Sequence, residues 1–410
     1  MSKNMNKVGI IAEYNPFTNG HKYQLDYAKS VLNADCVIIA MSGSFCQRGE
    51  VCIFDKYTRA NCALVNGADI VLEIPVYYST SSASDFAEGA VRLLHKAGIN
   101  TLLFGVESGD ETDFINTAKK LIEIENSPEF IQKLNTSQKA GSSFAASYYD
   151  IASELLSINK DFFLNSNNIL GIEYCKAIIR NQFDISIKCI HRVGSNYNDF
   201  SADTCYSSAS AVRNIIKDTS SNATNKTSDS LSKYLPANTL NTIDNSSPIF
   251  ANDISEVLHY ALLTNQSFDS FLDCSENISN TIKNQLNNYV DFNSFAEIIS
   301  SKILSVSRAK RILCHILLNI KTDDVDTQKS LGFITYIRIL GFTKNGSQYL
   351  KEIKDSSNIP LISSPSEFKE SDICFDADIH SADIYRMLIT KKTGESLKTE
   401  FTRKNSLINL

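Results

Sequence analysis

The N-terminal part of this chain alternates between short apolar runs and amphipathic segments of helical length, which restricts the fold more than any other feature. The apolar runs are residues 8–12, 36–41, 70–74, 101–104 and 185–190. Strands that are apolar throughout and separated by helices are typical of a parallel sheet covered on both faces. The pattern therefore predicts an α/β fold with a doubly wound, Rossmann-like parallel sheet. Its ligand site is expected at the carboxyl ends of the strands.

Two further segments divide the chain. A long helical stretch at about 112–182 precedes the fifth apolar run, and we expect it to form an insertion or a lid. Residues 218–232 are rich in Ser, Asn, Thr and Asp and offer little to bury. We therefore predict a sheet domain at 1–216, a linker or exposed loop at 217–236 and a mainly helical domain at 237–410. In the last part, helical periodicity covers 253–263, 276–290, 294–320, 327–340 and 345–354.

The composition limits the class of protein. Hydrophobic residues make up 43% and charged residues 21%, with a formal net charge of -6, as in a typical globular protein. The 10 cysteines form no Cys-x-x-Cys pair and the 6 histidines are scattered, so we expect reduced thiols and no metal site. No apolar stretch approaches the ~18 residues of a membrane helix and no signal segment is visible. We therefore expect a cytoplasmic protein that does not bind membranes.

The first apolar run leads into the most informative motif. Residues 8–21 (VGIIAEYNPFTNGH) run from a buried strand through an Asn-Pro turn into the start of a helix. The free N–H groups and positive dipole end of a helix N-terminus bind phosphate, and Gly20 lets a ligand approach the backbone. His21 can donate to an α-phosphate during displacement, with the Thr18 hydroxyl on the same side. The alternative is an ordinary turn with a capping Thr and a surface His.

Thr18-Asn19-Gly20-His21 resembles the (His/Thr)-x-Gly-His signature of the nucleotidyltransferase superfamily. Over nearly its full length, the chain is also similar to the tRNA(Met) cytidine acetate ligase family. The matching stretches are residues 9–21, 41–50, 67–75, 104–110, 167–174, 192–197, 208–213, 336–342, 382–385 and 401–404. The chain departs from the family pattern with Thr18 in place of the usual His, Ser166 in place of Pro and Asn198 in place of His.

The resemblance implies a two-step reaction. Acetate attacks ATP to give acetyl-adenylate and diphosphate, and the acetyl group then passes to N4 of the wobble cytidine of elongator tRNA(Met). ATP is a co-substrate, Mg²⁺ is expected with it, and acetyl-coenzyme A is not used. The resemblance also implies that residues 1–216 form the nucleotidyltransferase-like, ATP-binding catalytic domain and that 237–410 bind the tRNA.

The same resemblance implies roles for individual residues. His21 and Thr18 are the expected catalytic residues. The expected ATP-binding residues are Val8, Gly9, Ile10, Ile11, Ala12, Glu13, Tyr14, Asn15, Pro16, Phe17, Thr18, Asn19, Gly20, His21, Gly105, Asn167, Asn168, Arg192 and Val193. The residues expected to hold the β- and γ-phosphates are Ser208, Ser210 and Arg213. Residues 47–50 are expected to shape the acetate pocket or to face the tRNA. Taken alone, the Asn pair also fits a helix cap and Arg192 a surface ion pair.

A tRNA partner needs a basic surface, although the chain is acidic overall. Residues 298–351 carry nine Lys or Arg and three Asp, and apolar residues recur there at helical spacing. This spacing leaves the basic residues for an outer helix face. The residues that we expect to contact RNA phosphates are Lys302, Arg308, Lys310 and Arg311. The alternative is an ordinary solvated helix face.

Two other functions remain open from the sequence. A small-molecule adenylyltransferase or acid–amine ligase of the same superfamily explains the motif at 18–21 but gives the basic helical part no role. A non-catalytic RNA-binding protein with a vestigial nucleotide site explains the basic part, but the motifs at 18–21 and 208–213 are intact.

Overall fold

The computed structural model describes residues 5–192, 205–220, 227–244, 246–403 and 406–408. One mixed sheet forms the centre of the fold. The strands are β1 (Lys7–Ala12), β2 (Cys36–Ser42), β3 (Phe45–Cys46), β4 (Glu50–Val51), β5 (Ile70–Ile74), β6 (Thr101–Val106), β7 (Ser186–His191), β8 (Ile337–Thr343), β9 (Leu361–Ile362) and β10 (Ser406–Ile408). The sheet order is β10-β8-β5-β2-β1-β6-β7 with β9 beside β8, while β3 and β4 form a separate hairpin. The strands from β5 to β7 in this order are parallel, which confirms the predicted fold class.

Helices cover both faces of the sheet. Those before β7 are α1 (Asn19–Ser30), α2 (Lys56–Val65), α3 (Val76–Ser79), α4 (Ala83–Lys96), α5 (Glu111–Ile124), α6 (Pro128–Lys139), α7 (Phe144–Leu156) and α8 (Ser166–Arg180). Those after β7 are α9 (Ala209–Ser220), α10 (Thr227–Ser232), α11 (Ala237–Ile243), α12 (Ser255–Thr264), α13 (Glu276–Gln285), α14 (Phe292–Ile299), α15 (Val306–Leu317), α16 (Thr322–Ser330), α17 (Lys344–Ser357) and α18 (Ile373–Thr393). Within the described ranges, no helix is both long and apolar enough to cross a lipid bilayer.

The central strands are buried on both faces, which explains their continuous apolar sequence. On β2, Ile38 and Ala40 belong to a core that includes α4, while Val37 and Ile39 belong to a core that includes α1 and α2. All four side chains are 0% exposed. Because successive side chains of a strand point to opposite faces, each residue of such a strand must be apolar.

The order of the strands fixes the place of a ligand site. The chain passes from β1 to β2 and β5 on one side, and then to β6 and β7 on the other side of β1. The boundary between β1 and β6 is therefore the topological switch point. In open α/β sheets, the crevice outside the carboxyl ends of the strands at this point is the usual ligand site.

One helical prediction in the C-terminal part is wrong, although the periodicity over 294–320 corresponds to two helices, α14 and α15. The helix predicted over 327–340 ends at Ser330, and β8 follows as an antiparallel neighbour of β5. Ile337, Ile339 and Leu340 of β8 are buried against the two sheet faces. A strand that is buried on both faces appears in the sequence as a short apolar run. Periodicity alone does not distinguish such a run from a segment of a buried helix.

The polar stretch predicted as a linker contains helical residues that pack against the core. Helix α9 extends to Ser220, and α10 occupies part of the segment expected to be a loop. Leu231 and Leu235 are buried against the core beside α1 and α2, so residues 227–236 are not an exposed loop. The proposed domain division at 217–236 stays a prediction, and β8, β9 and β10 of the C-terminal part lie in the same sheet as β1.

A buried ion network joins the two parts of the chain. Nζ of Lys56, at the start of α2, lies 2.8 Å from Oε1 of Glu73 on β5 and 3.0 Å from Oε2 of Glu400. Nη2 of Arg338 on β8 lies 3.7 Å from the same Glu400 oxygen. All these side chains are at most 7% exposed. Removing one partner would leave an uncompensated charge in a water-poor interior.

Candidate active site

A cleft of about 280 Å³ lies at the carboxyl ends of β1, β6 and β7, where the topology places a ligand. The predicted site residues that line it are Ile11, Ala12, Glu13, Tyr14, Asn15, Thr18, Gly20, His21, Gly105, Asn167, Arg192 and Ser208. The N-termini of two helices, α1 and α9, also reach its wall. The structure thus brings residues from five separate parts of the sequence to one cavity.

The remaining predicted ATP-binding residues do not line this cleft. They are Val8, Gly9, Ile10, Pro16, Phe17, Asn19 and Asn168, while Val193 lies outside the described residues. Val8 and Ile10 are 0% exposed, and a methyl group added to Gly9 would lie 2.6 Å from Cδ1 of Ile99. Val8, Gly9 and Ile10 lie in strand β1, and Pro16 and Phe17 lie in the turn after it, which supports the cleft.

His21 lies in the first turn of α1, and Thr18 is the residue that caps this helix. The Thr18 backbone N–H donates to Nδ1 of His21 over 3.0 Å, and the Thr18 hydroxyl oxygen lies 3.2 Å from the same nitrogen. Because a backbone N–H can only donate, Nδ1 is an acceptor and the ring proton is on Nε2. His21 is thereby held as a hydrogen-bond donor at the wall of the cleft.

The surroundings keep this imidazole neutral. The rings of Tyr14 and Phe17 flank it, with centroids 4.9 Å and 5.6 Å from that of His21. Burial lowers the pKa of His21 to about 3, and repulsion from the Arg192 guanidinium acts in the same direction. A donor that is already neutral keeps its proton throughout the neutral pH range. The buried hydroxyl of Tyr14 has no hydrogen-bond partner within the described chain, so it is a second group available to a ligand.

Arg59 of α2 clamps the ends of β1 and β2 behind this wall, and sequence reasoning did not find it. Its side chain is 1% exposed. Nη1 donates to the carbonyl oxygens of Glu13 and Ser42 over 2.6 Å and 3.0 Å, and Nη2 donates to that of Gly43. Because these acceptors are uncharged, the positive charge of Arg59 remains to act on an anion in the cleft. Nothing in its local sequence distinguishes Arg59 from a surface arginine.

The opposite wall follows β6 and begins at Gly105. Nδ2 of Asn167 donates to Oε1 of Glu107 over 2.5 Å, and Nη1 of Arg192 lies 3.4 Å from the same oxygen. Glu107 therefore joins two predicted nucleotide-binding side chains, a role that the sequence did not indicate. Asn168 is 0% exposed, and its Oδ1 accepts from the Glu107 backbone N–H over 3.1 Å. It braces the loop after β6, whereas Asn167 faces the cleft.

The residues expected to hold the β- and γ-phosphates are only partly directed at the cleft. Ser208 lines it, and its hydroxyl oxygen accepts from the backbone N–H of Ala211 over 3.2 Å at the start of α9. Ser210 is exposed and is not part of the cleft wall. Nη1 of Arg213 donates to the carbonyl oxygen of Asn15 over 2.8 Å. In this structure Arg213 therefore ties α9 to the turn after β1.

The hairpin of β3 and β4 closes a third side of the cleft. Gln47 and Arg48 line it, and the Gln47 backbone N–H donates to Oε1 of Glu13 over 3.1 Å. Gly49 has a φ of +72° and touches α15, because a methyl group added to it would lie 2.3 Å from the Arg311 backbone nitrogen. The helical part of the chain thus packs directly on the hairpin that forms the cleft.

This packing also corrects the expected positions of two basic residues. Nζ of Lys310 lies 2.6 Å from Oε1 of Glu50, and its side chain is only 17% exposed. The Arg311 side chain is 14% exposed. The prediction of an outer helix face is therefore wrong for Lys310 and Arg311, because α15 turns them towards the hairpin and the loop before α13. Arg308 is half-buried and Lys302 is exposed.

Comparisons with known proteins identify the family of the chain. A family model described as HIGH Nucleotidyl Transferase matches residues 5–400. A tRNA(Met) cytidine acetate ligase of Clostridium perfringens is 37% identical over 398 residues, which cover 94% of this chain and 96% of that protein. One of Thermosipho melanesiensis is 36% identical over 373 residues, covering 88% and 85%. The chain belongs to the tRNA(Met) cytidine acetate ligase family of HIGH nucleotidyl transferases.

Solved structures of an acetate ligase resemble this chain over its whole length. The crystal structure of Thermotoga maritima TmcAL bound with alpha-thio ATP has a TM-score of 0.87 and 27% sequence identity. The match covers 99% of this chain and 100% of that chain. The apo form of the same protein has a TM-score of 0.88. The sheet, the hairpin and the helical part therefore form one arrangement that this chain shares with a protein that binds an ATP analogue.

Proposed function

We propose that this chain is an ATP-dependent acetate ligase that forms acetyl-adenylate and transfers the acetyl group to N4 of the wobble cytidine of elongator tRNA(Met). The observation that carries the proposal is the cleft at the switch point, where a neutral His21 and two helix N-termini meet. Its geometry fits phosphate chemistry, and the names of the 34–37% identical relatives give the substrates.

In the first step, an acetate oxygen attacks the α-phosphorus of ATP and diphosphate leaves. Negative charge then grows on the α-phosphate and on the leaving diphosphate. The Nε2 proton of His21 is a donor to this charge, and the positive dipole end of α1 favours it as well. The Thr18 hydroxyl lies on the same side, and the buried charge of Arg59 acts behind it.

The nucleoside of ATP is proposed to lie along the wall after β6. Gly105 presents no side chain there beyond a hydrogen, and Asn167 and Arg192 are fixed by the shared Glu107 carboxylate. The start of α9 with Ser208 faces the phosphate end. Ser210 and Arg213 would reach the β- and γ-phosphates only after a change in side-chain position.

Mg²⁺ is proposed to enter with the phosphates of ATP. In the part of the chain that the structure describes, no group of three or more His, Cys, Asp or Glu side chains is placed to hold a metal ion. The described wall of the cleft offers one carboxylate, Glu13. A single carboxylate is too few to hold the ion, so the ion would be carried by the phosphates and completed by water, since Mg²⁺ keeps several waters in nucleotide sites.

Acetate is proposed to bind between the hairpin and β1. It needs a cation for its carboxylate and an apolar wall for its methyl group. Arg48 is exposed at the cleft and Phe86, which lines the same cavity, is 2% exposed. Acetyl-coenzyme A has no role in this scheme, because the acid is activated by adenylation.

The tRNA is proposed to approach over the helical part, with the wobble base unstacked into the cleft. An exocyclic amine inside a base stack cannot reach a buried acyl group, so the base must be presented singly. Lys302 is exposed and Arg308 is half-buried near the start of α15. These two residues are the better candidates for phosphate contacts, since Lys310 and Arg311 are held against protein groups.

The test uses labelled acetate, ATP and three RNA conditions: elongator tRNA(Met), the same tRNA with uridine at the wobble position, and no RNA. We expect label in the first tRNA only, with AMP and diphosphate as products. The uridine control lacks the N4 amine, so it separates transfer to the base from acylation elsewhere. Adenylation of another acid would point to a different acid–amine ligase, and absence of ATP turnover would exclude both enzyme functions.

A further inference from the structure

The ligase cleft contains a carboxylate, that of Glu13, whose negative charge does not favour ATP binding, although the family resemblance places Glu13 in the ATP-binding segment. Among the described residues that line the cleft, Glu13 is the only Asp or Glu. It stands at the turn directly after β1, between β6 and the hairpin after β2. ATP and acetate are both anions, so a carboxylate here opposes their binding unless it is neutralised or used in the reaction.

Glu13 is held through one side-chain contact and one backbone contact. Oε1 accepts the backbone N–H of Gln47 over 3.1 Å, and the Glu13 carbonyl oxygen accepts from Arg59 over 2.6 Å. The side chain is half-buried, as the wall of a cleft requires. It is thus held by two separate elements, the hairpin and α2, at the junction of the phosphate and acetate sides.

The second step of the proposed reaction needs a proton acceptor. The N4 lone pair of cytidine forms a bond to the acetyl carbonyl carbon, the bond from this carbon to the phosphate oxygen breaks, and AMP leaves. The amine starts with two hydrogens and the product keeps one, so one proton must go to a base. Diphosphate has left by then, and the acyl-adenylate carries a single negative charge that repels a carboxylate far less than ATP does.

We propose that Glu13 is the general base that accepts the cytidine N4 proton during acetyl transfer. This assignment rests on the proposed acetate ligase function. The proton is held on the Glu13 carboxyl group and passes to water when AMP leaves the cleft. The first step has no proton to remove, because acetate attacks as an anion, so Glu13 is not needed there.

The surroundings of this carboxylate favour uptake of a proton. Burial raises the pKa of Glu13 above its ordinary value of 4.5, and the positive charges of Arg48, Arg213 and Arg59 oppose this only in part. The other titratable groups that face it are Tyr174, Cys46 and Cys52. His21 stays neutral down to about pH 3, so it does not titrate in the same range.

The experiment separates the two steps with Glu13→Gln, which keeps the side-chain shape and the acceptor for the Gln47 N–H. Acetate-dependent ATP–diphosphate exchange reports the first step. Single-turnover acetylation of tRNA(Met) by preformed enzyme-bound acetyl-adenylate reports the second. We expect exchange within about threefold of wild type, an unchanged or lower KM for ATP, and transfer slower by about 10²-fold or more. Glu129→Gln, an exposed residue of α6, is the matched control and should change neither rate.

The pH profile gives a readout that a structural role would not move. The wild-type transfer rate should fall as the pH is lowered through the Glu13 pKa, because the protonated carboxyl cannot accept a proton. This acid limb should vanish in Glu13→Gln and remain, at a lower rate, in Glu13→Asp. The Asp variant also serves if the Gln variant does not fold.

Three results would overturn the assignment. Equal losses of exchange and transfer in Glu13→Gln would make Glu13 a binding residue, and an unchanged transfer rate would remove it from the reaction. Absence of acetate-dependent exchange in the wild type would refute the acetate ligase function itself, and with it this role. The exchange assay therefore distinguishes failure of the proposed function from failure of Glu13 as its base.

Discussion

Replacement of His21 tests the central feature of the cleft. His21→Ala removes the Nε2 donor and also the acceptor for the Thr18 backbone N–H, which is bonded over 3.0 Å. Loss of one preorganised donor to a developing oxyanion costs about 10²–10³-fold, or about 2.7–4 kcal/mol, in rate. Loss of the helix cap costs about 1 kcal/mol in the free energy of unfolding. The rate of adenylation should therefore fall far more than stability does.

His21→Gln separates these two effects. Gln at the third helical position of a Thr-capped helix can accept the capping N–H, so its free energy of unfolding should stay within about 0.5 kcal/mol of wild type. Its amide does not place a donor where Nε2 lies, and adenylation should still fall by about tenfold or more. Acetate-dependent ATP–diphosphate exchange measures the rate, urea unfolding measures stability, and filter binding measures tRNA affinity, which should not change. Adenylation within threefold of wild type in both variants would refute the role of His21 as donor.

The protonation state of His21 gives a second check. With a pKa of about 3, the native His21 ring is neutral at every pH from 5 to 9. The pH profile of adenylation should therefore be the same near pH 6.5 in wild type and in His21→Gln. The unfolded chain binds a proton on His21 below about 6.5 and the native chain does not. Wild type should therefore lose up to about 1.4 kcal/mol of stability per pH unit below 6.5 relative to His21→Gln. A catalytic transition near 6.5 that belongs to His21 would contradict the neutral donor.

Three further variants test the surroundings of the cleft. Arg48→Ala should raise the KM for acetate about tenfold and leave the KM for ATP within threefold of wild type. Equal rises in both KM values would place Arg48 outside the acetate site. Gly49→Ala should destabilise the protein clearly more than Gly394→Ala. Both glycines have a positive φ, +72° and +76°, but only at Gly49 would the added methyl group meet backbone atoms. Equal urea midpoints of the two variants would contradict this packing. Lys56→Met should cost about 3–5 kcal/mol, whereas Lys133→Met, in an exposed pair, should cost less than about 1 kcal/mol. Unfolding of both Lys variants at the wild-type urea concentration would show that the buried network does not stabilise the fold.

The predictability of the strands differed between the two halves of the sheet for a physical reason. The four strands β5, β2, β1 and β6 are largely buried, so each is an apolar run that the sequence displays directly, whereas the edge strand β7 alternates between exposed and buried residues. β8 lies near the edge and pairs antiparallel with β5, a segment more than 260 residues earlier in the chain. No local sequence pattern indicates such a pairing, and helical periodicity predicts a helix at β8 instead.

The candidate site shows the same division. The motif at 18–21 predicted a phosphate-binding turn because capping, helix dipole and glycine all act within a few residues. The contacts of Arg59 with three carbonyl groups and of Glu107 with two cleft residues join distant segments, so neither arginine nor glutamate could be singled out beforehand.

By itself, the sequence determined the doubly wound sheet, the helical segment before β7, the phosphate-binding turn and the family of the chain. These follow from burial, periodicity and local hydrogen bonding, which act over short distances along the chain. Only the tertiary structure decided that the helical part contributes strands to the same sheet, that Lys310 and Arg311 face the hairpin, and that Glu13 is the one carboxylate on the described cleft wall. Those properties depend on which distant segments pack together, and charge or composition along the chain does not specify that.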